Sequence, residues 1–153
     1  MDRSSLLDRY RGGFAAVERA LDGINDDELD RAGPDGGWSA RQVAHHLADS
    51  EARAYVRLRR VIAEDEPVIL GYDEPEYARR LHYERPIGAS LGVLGAVRAA
   101  SLELLESLTD EEWERSGTHS ESGPYSVEDW LRIYASHSHD HAAQIRDARE
   151  DGR

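Results

Sequence analysis

Cysteine is absent from this 153-residue chain. With it go disulfides, thiolate metal ligands and any protein thiol nucleophile, so thiol chemistry would need a thiol brought in with the substrate. Lysine is absent as well: all 19 basic residues are arginine, and they face 31 acidic residues for a formal net charge of −12. A surface of that sign argues against nucleic acid and anionic membranes as partners, because both select basic proteins. No apolar run approaches the length of a membrane span. The opening Met1-Asp2-Arg3-Ser4 lacks the basic and apolar regions of a signal peptide. The expectation is a cytoplasmic protein, and a length of 153 residues predicts a single domain over 1–153. Stretches of β-branched alternation are missing too, which leaves no convincing strand.

What is present is helical periodicity. Leu6, Tyr10, Phe14, Val17 and Leu21 recur at three- and four-residue steps and predict a helix from about Ser5 to Leu21, interrupted only by Gly12-Gly13. Ser39 and Gln42 form a capping box that opens a second helix, about Ala40 to Ala63, whose apolar stripe is Val43, Leu47, Ala54, Leu58, Val61 and Ile62. Leu91, Leu94, Leu102, Leu105 and Leu108 mark a third, from about Ser90 to Leu108. Ser126 caps a fourth, whose inward positions are Trp130, Leu131, Tyr134, Ala142 and Ile145. The two halves echo each other: Asn25–Leu29 matches Thr109–Trp113, and Gly37-Trp38-Ser39-Ala40 matches Pro124-Tyr125-Ser126-Val127. Four long helices make the fold class all-α, a four-helix bundle. Residues 64–86 are the irregular part, a connection long enough to cover a site, with Tyr72, Tyr77, His82 and Tyr83 as lining or packing residues and a short helix over Glu76–Leu81.

The chemistry concentrates in His137-Ser138-His139-Asp140-His141. Residues four apart stack on one side of a helix, and two imidazoles so placed can close on one metal ion. At about 100° per residue, His141 falls about 40° and His137 about 80° from the centre of the fourth helix's apolar stripe, while His139 points about 120° away, towards solvent. On the second helix His46 lies at the stripe's edge in line with Ser50, whereas His45 points further out beside Asp49. A single histidine near an apolar face is ordinarily a hydrogen-bonded core residue. The i,i+4 pair joined by His46 from another helix favours a three-imidazole metal site, with Asp49 and Gln144 as candidates to orient the rings. A di-iron bundle fits less well, since no Glu lies three residues before His46, His137 or His141. Three imidazoles suit zinc, nickel, iron or copper.

Three stretches carry a resemblance: Gly37-Trp38-Ser39-Ala40-Arg41-Gln42-Val43-Ala44-His45-His46-Leu47-Ala48-Asp49-Ser50, then Glu64-Asp65-Glu66-Pro67 with Tyr72-Asp73-Glu74, and finally Tyr134 through Ile145. Together they resemble the DinB/YfiT-like superfamily of metal-binding four-helix bundles, the Trp-Ser-x-Arg-Gln run pointing to its YfiT-like branch. The resemblance implies an up-down-down-up bundle, frequent homodimers, and His46, His137 and His141 as the ligands of a divalent ion, zinc or nickel foremost. Asp140 stands where that branch often has another His, at a position that is not a ligand. Activity in the superfamily includes metal-dependent hydrolases and thiol S-transferases or isomerases that use bacillithiol or mycothiol. The expectation is therefore a metal-dependent transferase or hydrolase acting on a small molecule, with a low-molecular-weight thiol as co-substrate. The alternative is a non-catalytic bundle, a stress-associated module that binds a metal or small ligand.

Overall fold

A computed structural model describes residues 1–150. Four long helices dominate it: α1 (Arg3–Leu21), α3 (Ala40–Ala63), α5 (Gly88–Ser107) and α7 (Val127–Glu150). Three short ones connect them: α2 (Asp26–Asp30), α4 (Glu74–Arg80) and α6 (Asp110–Trp113). The helices begin where capping chemistry places them. The Asp2 side chain accepts from Ser5 N–H at α1, and Asn25, Ser39 and Thr109 close reciprocal capping boxes at α2, α3 and α6. α4 starts two residues before the expected Glu76, capped by Asp73 with Pro75 in its first turn, and α5 starts two residues before Ser90.

Side-chain bridges give the helix directions. Arg9 and Ala20 of α1 offer carbonyls to His139 and Arg149 of α7, so these two helices run parallel. His45 meets Ser90 and Glu51 meets Arg98, so α3 and α5 also run parallel. His46 lies against His141 while Arg57 reaches Tyr134, which makes α3 and α7 antiparallel. The bundle is up-down-down-up.

One expectation is corrected. The chain does form strands: β1 (Val68–Ile69), β2 (Ser116–His119) and β3 (Gly123–Ser126). β2 and β3 are an antiparallel hairpin, Ser116 opposite Ser126, and β1 joins β2 in parallel, Val68 beside Thr118. The outer carbonyls of the β1 segment would be open edge acceptors. Arg60 caps Val68 O at 2.9 Å and Arg57 caps Leu70 O at 2.6 Å, so α3 closes the edge.

The core divides in two. One apolar cluster contains Leu6, Tyr10, Ala54, Leu58, Leu105, Trp130 and Tyr134; the other contains Val17, Val43, Leu47, Leu94, Ala142 and Ile145. Between them every long helix turns polar or small at the same level. α1 contributes Gly13, α3 His46, Ser50 and Glu51, α5 Arg98 and Ser101, and α7 His137, Ser138 and His141. This polar waist is where the bundle holds its chemistry.

The apolar-run expectation also needs amending at α5. An 18-residue window of this 20-residue helix has a mean hydropathy of 1.3, which makes the helix long and apolar enough, by length and composition, to cross a membrane. The value comes from its Ala, Leu and Val residues. Yet Arg98 sits in the middle of the helix, 3% exposed, and is drawn into the polar waist.

Candidate metal centre

α3 and α7 bring three imidazoles together. His46, His137 and His141 each offer a ring nitrogen, and these atoms all lie within 4.8 Å of one another. Ring centroids are 4.7 Å apart for His46 and His141, 4.6 Å for His137 and His141, and 5.6 Å for His46 and His137. Nitrogens around a tetrahedral ion with bonds of about 2.05 Å sit about 3.4 Å apart. A movement of about 1 Å or less per ring would draw this trio onto one ion, so the donor set fits a divalent metal.

The surroundings keep His46 and His141 in the form a metal needs. Burial pushes the His46 pKa down to about 3, helped by the nearby His141 and His137 rings. Burial, and then His137, lowers His141 too. Neutral imidazole carries the free lone pair that coordination requires. Trp38 lies against His46 at 5.0 Å between centroids and walls the site on that side. The His141 Nδ1–H donates to Gln144 Oε1 at 2.7 Å, which directs its Nε2 lone pair away from Gln144. Gln144 thus has the place expected for it.

Asp49, the other candidate, is an ordinary polar residue with no contact to the trio. It accepts from the Tyr83 hydroxyl at 2.6 Å. Glu51 takes the orienting role. Its side chain is 1% exposed, and Oε1 lies 3.5 Å from His137 Nδ1 and 3.3 Å from the Ser138 hydroxyl. The same oxygen accepts from Arg98 Nη1 at 2.5 Å. Arg98 in turn donates to the Tyr10 and Tyr134 carbonyls and lies 3.9 Å over the Tyr10 ring. These extra hydrogen bonds offset part of the cost of burying the pair, although Nε of Arg98 is left without a partner. Its head passes where α1 has Gly13, and a Cβ there would run into the Arg98 guanidinium.

Two histidines lie elsewhere than expected. His45 is not outside but fully buried, with Nδ1 at 2.7 Å from Ser90 Oγ and Nε2 at 2.8 Å from the Arg85 carbonyl. α3 packs against both α5 and α7, so its buried arc is wider than one apolar stripe. His139 does not end in solvent; half-buried, it donates to the Arg9 carbonyl at 2.8 Å, because α1 lies alongside α7 on that side. Of the 64–86 residues, Tyr83 is buried against His45, Tyr72 and Tyr77 pack on each other at 4.6 Å, and His82 is exposed.

The DinB superfamily profile matches residues 9–145. A protein of Oceanobacillus iheyensis, provisionally named a metal-dependent hydrolase, is 43% identical over 122 residues, which is 80% of this chain and 71% of that one. YfiT of Bacillus subtilis, named in the same provisional way, is 35% identical over 134 residues, 86% of this chain and 75% of its own length. The YfiT structure, described as a four-helix bundle of unusual topology, superposes with a TM-score of 0.89, covering 97% of this chain and 87% of that chain at 29% identity. A mycothiol-dependent maleylpyruvate isomerase shares the fold at a TM-score of 0.76 and 12% identity, covering 95% of this chain and 61% of its own. With nearly its whole length matched by the profile, the chain belongs to the DinB superfamily.

Proposed function

We propose that this protein is a divalent-metal-dependent enzyme in which His46, His137 and His141 hold the ion. The reaction is transfer of a low-molecular-weight thiol to an electrophilic small molecule, or hydrolysis of such a molecule. The observation that carries this reading is the convergence of three imidazole nitrogens from α3 and α7 within 4.8 Å. Three protein ligands leave coordination places for reactants, as in catalytic rather than structural sites. A metal bound there supplies Lewis acidity, which makes a water or thiol a nucleophile at neutral pH.

The residues do the rest. Burial keeps His46 and His141 neutral. Gln144 fixes which nitrogen of His141 carries the proton, and Glu51 stands beside Nδ1 of His137 to do the same. Trp38 and Tyr134 flank the trio and limit the approach of bulk water. With no cysteine in the chain, any sulfur nucleophile would have to be external. A protein of the same fold that depends on mycothiol supports the thiol half of the reading.

The test is a panel of small thiols assayed with monochlorobimane as the electrophile, on metal-stripped and metal-reloaded protein. Turnover is expected only after reloading, and His137→Ala should abolish it. Saturable binding of the probe without turnover in reloaded protein would instead favour a non-catalytic binding bundle.

A further inference from the structure

α3 carries a second functional face beyond the histidine. Ser50, Arg53 and Arg57 follow His46 at four, seven and eleven residues, all within about 40° of it around the helix. Like the partly buried Arg9, Arg31 and Arg59, Arg53 and Arg57 have no carboxylate within ion-pair distance among the described residues, whereas Arg41, Arg60, Arg98 and Arg149 do.

The two are not alike. Arg57 is committed, donating to the Tyr134 hydroxyl at 3.1 Å and the Leu70 carbonyl at 2.6 Å. Arg53 donates only through Nη1, to the Tyr77 hydroxyl at 3.1 Å. Its Nε is buried with no partner, and the guanidinium lies 4.4 Å over the Tyr72 ring. The Nε–Nη2 edge is the fork that receives a carboxylate with two bonds. Arg41 shows it within this protein, holding both oxygens of Asp30 through Nε and Nη2 at 2.5 and 3.0 Å.

Arg53 also lines a cavity of about 400 Å³, together with Val56, Arg57, Ile69, Leu70 and Arg60, the last already paired with Glu64. Val56 and Leu70 are 53% and 62% exposed, an apolar margin for a ligand's body. Arg57 of the cavity wall donates to the hydroxyl of Tyr134, whose ring lies 5.6 Å from that of His137.

We propose that Arg53 forms a subsite for the carboxylate of a small organic acid, whose apolar body lies along Val56 and Leu70. Seven residues of helix separate Arg53 from His46, about 10 Å along the axis. The subsite itself does not need the metal; only the placement of the acid's reacting end at the three histidines rests on the function proposed above. Tyr72 and its neighbours must shift to uncover Nε, and the acid then satisfies a donor that is otherwise orphaned.

Isothermal titration of 3-phenylpropanoate and its neutral amide, 3-phenylpropanamide, tests this on metal-stripped protein. A charge-assisted pair predicts that wild type binds the acid about tenfold more tightly than the amide. Arg53→Gln should bring the two ligands to equal affinity, Arg53→Lys should keep part of the preference, and Arg11→Gln, remote from the cavity, should keep all of it. Circular dichroism of each variant checks that the helices persist. The preference should also survive His137→Ala. A wild type that ignores the acid, an Arg53→Gln protein that retains the preference, or a preference that appears only with metal bound would overturn the proposal. So would equal weakening of acid and amide in Arg53→Gln, the signature of a merely structural clip on residues 70–77. Should the wild type hold no metal, the proposed function fails and this outcome still stands.

Discussion

Glu51 and Arg98 are charges that the bundle interior tolerates only as a pair. Glu51→Gln keeps the shape but leaves Arg98 without its counter-charge, and breaking a buried pair costs about 3 kcal/mol. The variant should unfold at lower urea, and a chelator-competition titration should show metal affinity reduced about tenfold or more, because His137 loses its neighbour. Gly13 gives a sharper case. Alanine is the better helix former by about 1 kcal/mol, yet a Cβ there meets Arg98. Gly13→Ala should therefore destabilise the protein, by about 1–3 kcal/mol in urea denaturation; a gain in stability would contradict the packing described. The three convergent histidines are legible in the sequence because their spacing and stripe positions fix where they point. Glu51 was legible in principle, since it falls on the stripe of Leu47, Ala54 and Leu58, as Arg98 does on that of Leu94 and Leu105. A stripe drawn through apolar residues alone passes over both.

The long elements α1, α3 and α7 read well because capping side chains mark their starts, while α5, with no side-chain cap, begins two residues early. Ser39 accepts from Gln42 N–H at 3.2 Å, and the Gln42 side chain accepts from Ser39 N–H at 2.9 Å. Ser39→Ala should cost about 1 kcal/mol by thermal or urea unfolding and leave metal content unchanged, separating helix stability from site chemistry. The sheet carries no such signal. β1 has two residues, and β2 and β3 are built from Ser, Gly, Thr, His, Pro and Tyr, with no alternation to detect. Their pairing is set by neighbours far along the chain, Thr118 N–H on Pro67 O and Ser120 N–H on Ile69 O. The burial of His45 escapes for a related reason: a single stripe does not show that a helix has two neighbours.

At the scale of the whole molecule, two apolar clusters grip a polar layer, and the layer's proton affinity feeds back on folding. Burial holds His45, His46 and His141 below the ordinary histidine value of 6.5. As pH falls, the unfolded chain therefore takes up protons first. The metal-free protein should have its full stability above about pH 6.5 and lose it progressively below, as urea midpoints between about pH 7.5 and pH 5 will show; rising stability on acidification would contradict this. Metal should shift the balance the other way by binding the folded state alone. The up-down-down-up order makes that possible, since it lays α3 against α7 in opposite directions and so sets His46 between His137 and His141. Elemental analysis of the purified protein and its histidine variants tests this centre most directly. One divalent ion per chain is expected in wild type and in His139→Ala, and none in His46→Ala, His137→Ala or His141→Ala; a metal-free wild type, or full metal in any of those three variants, would contradict the account.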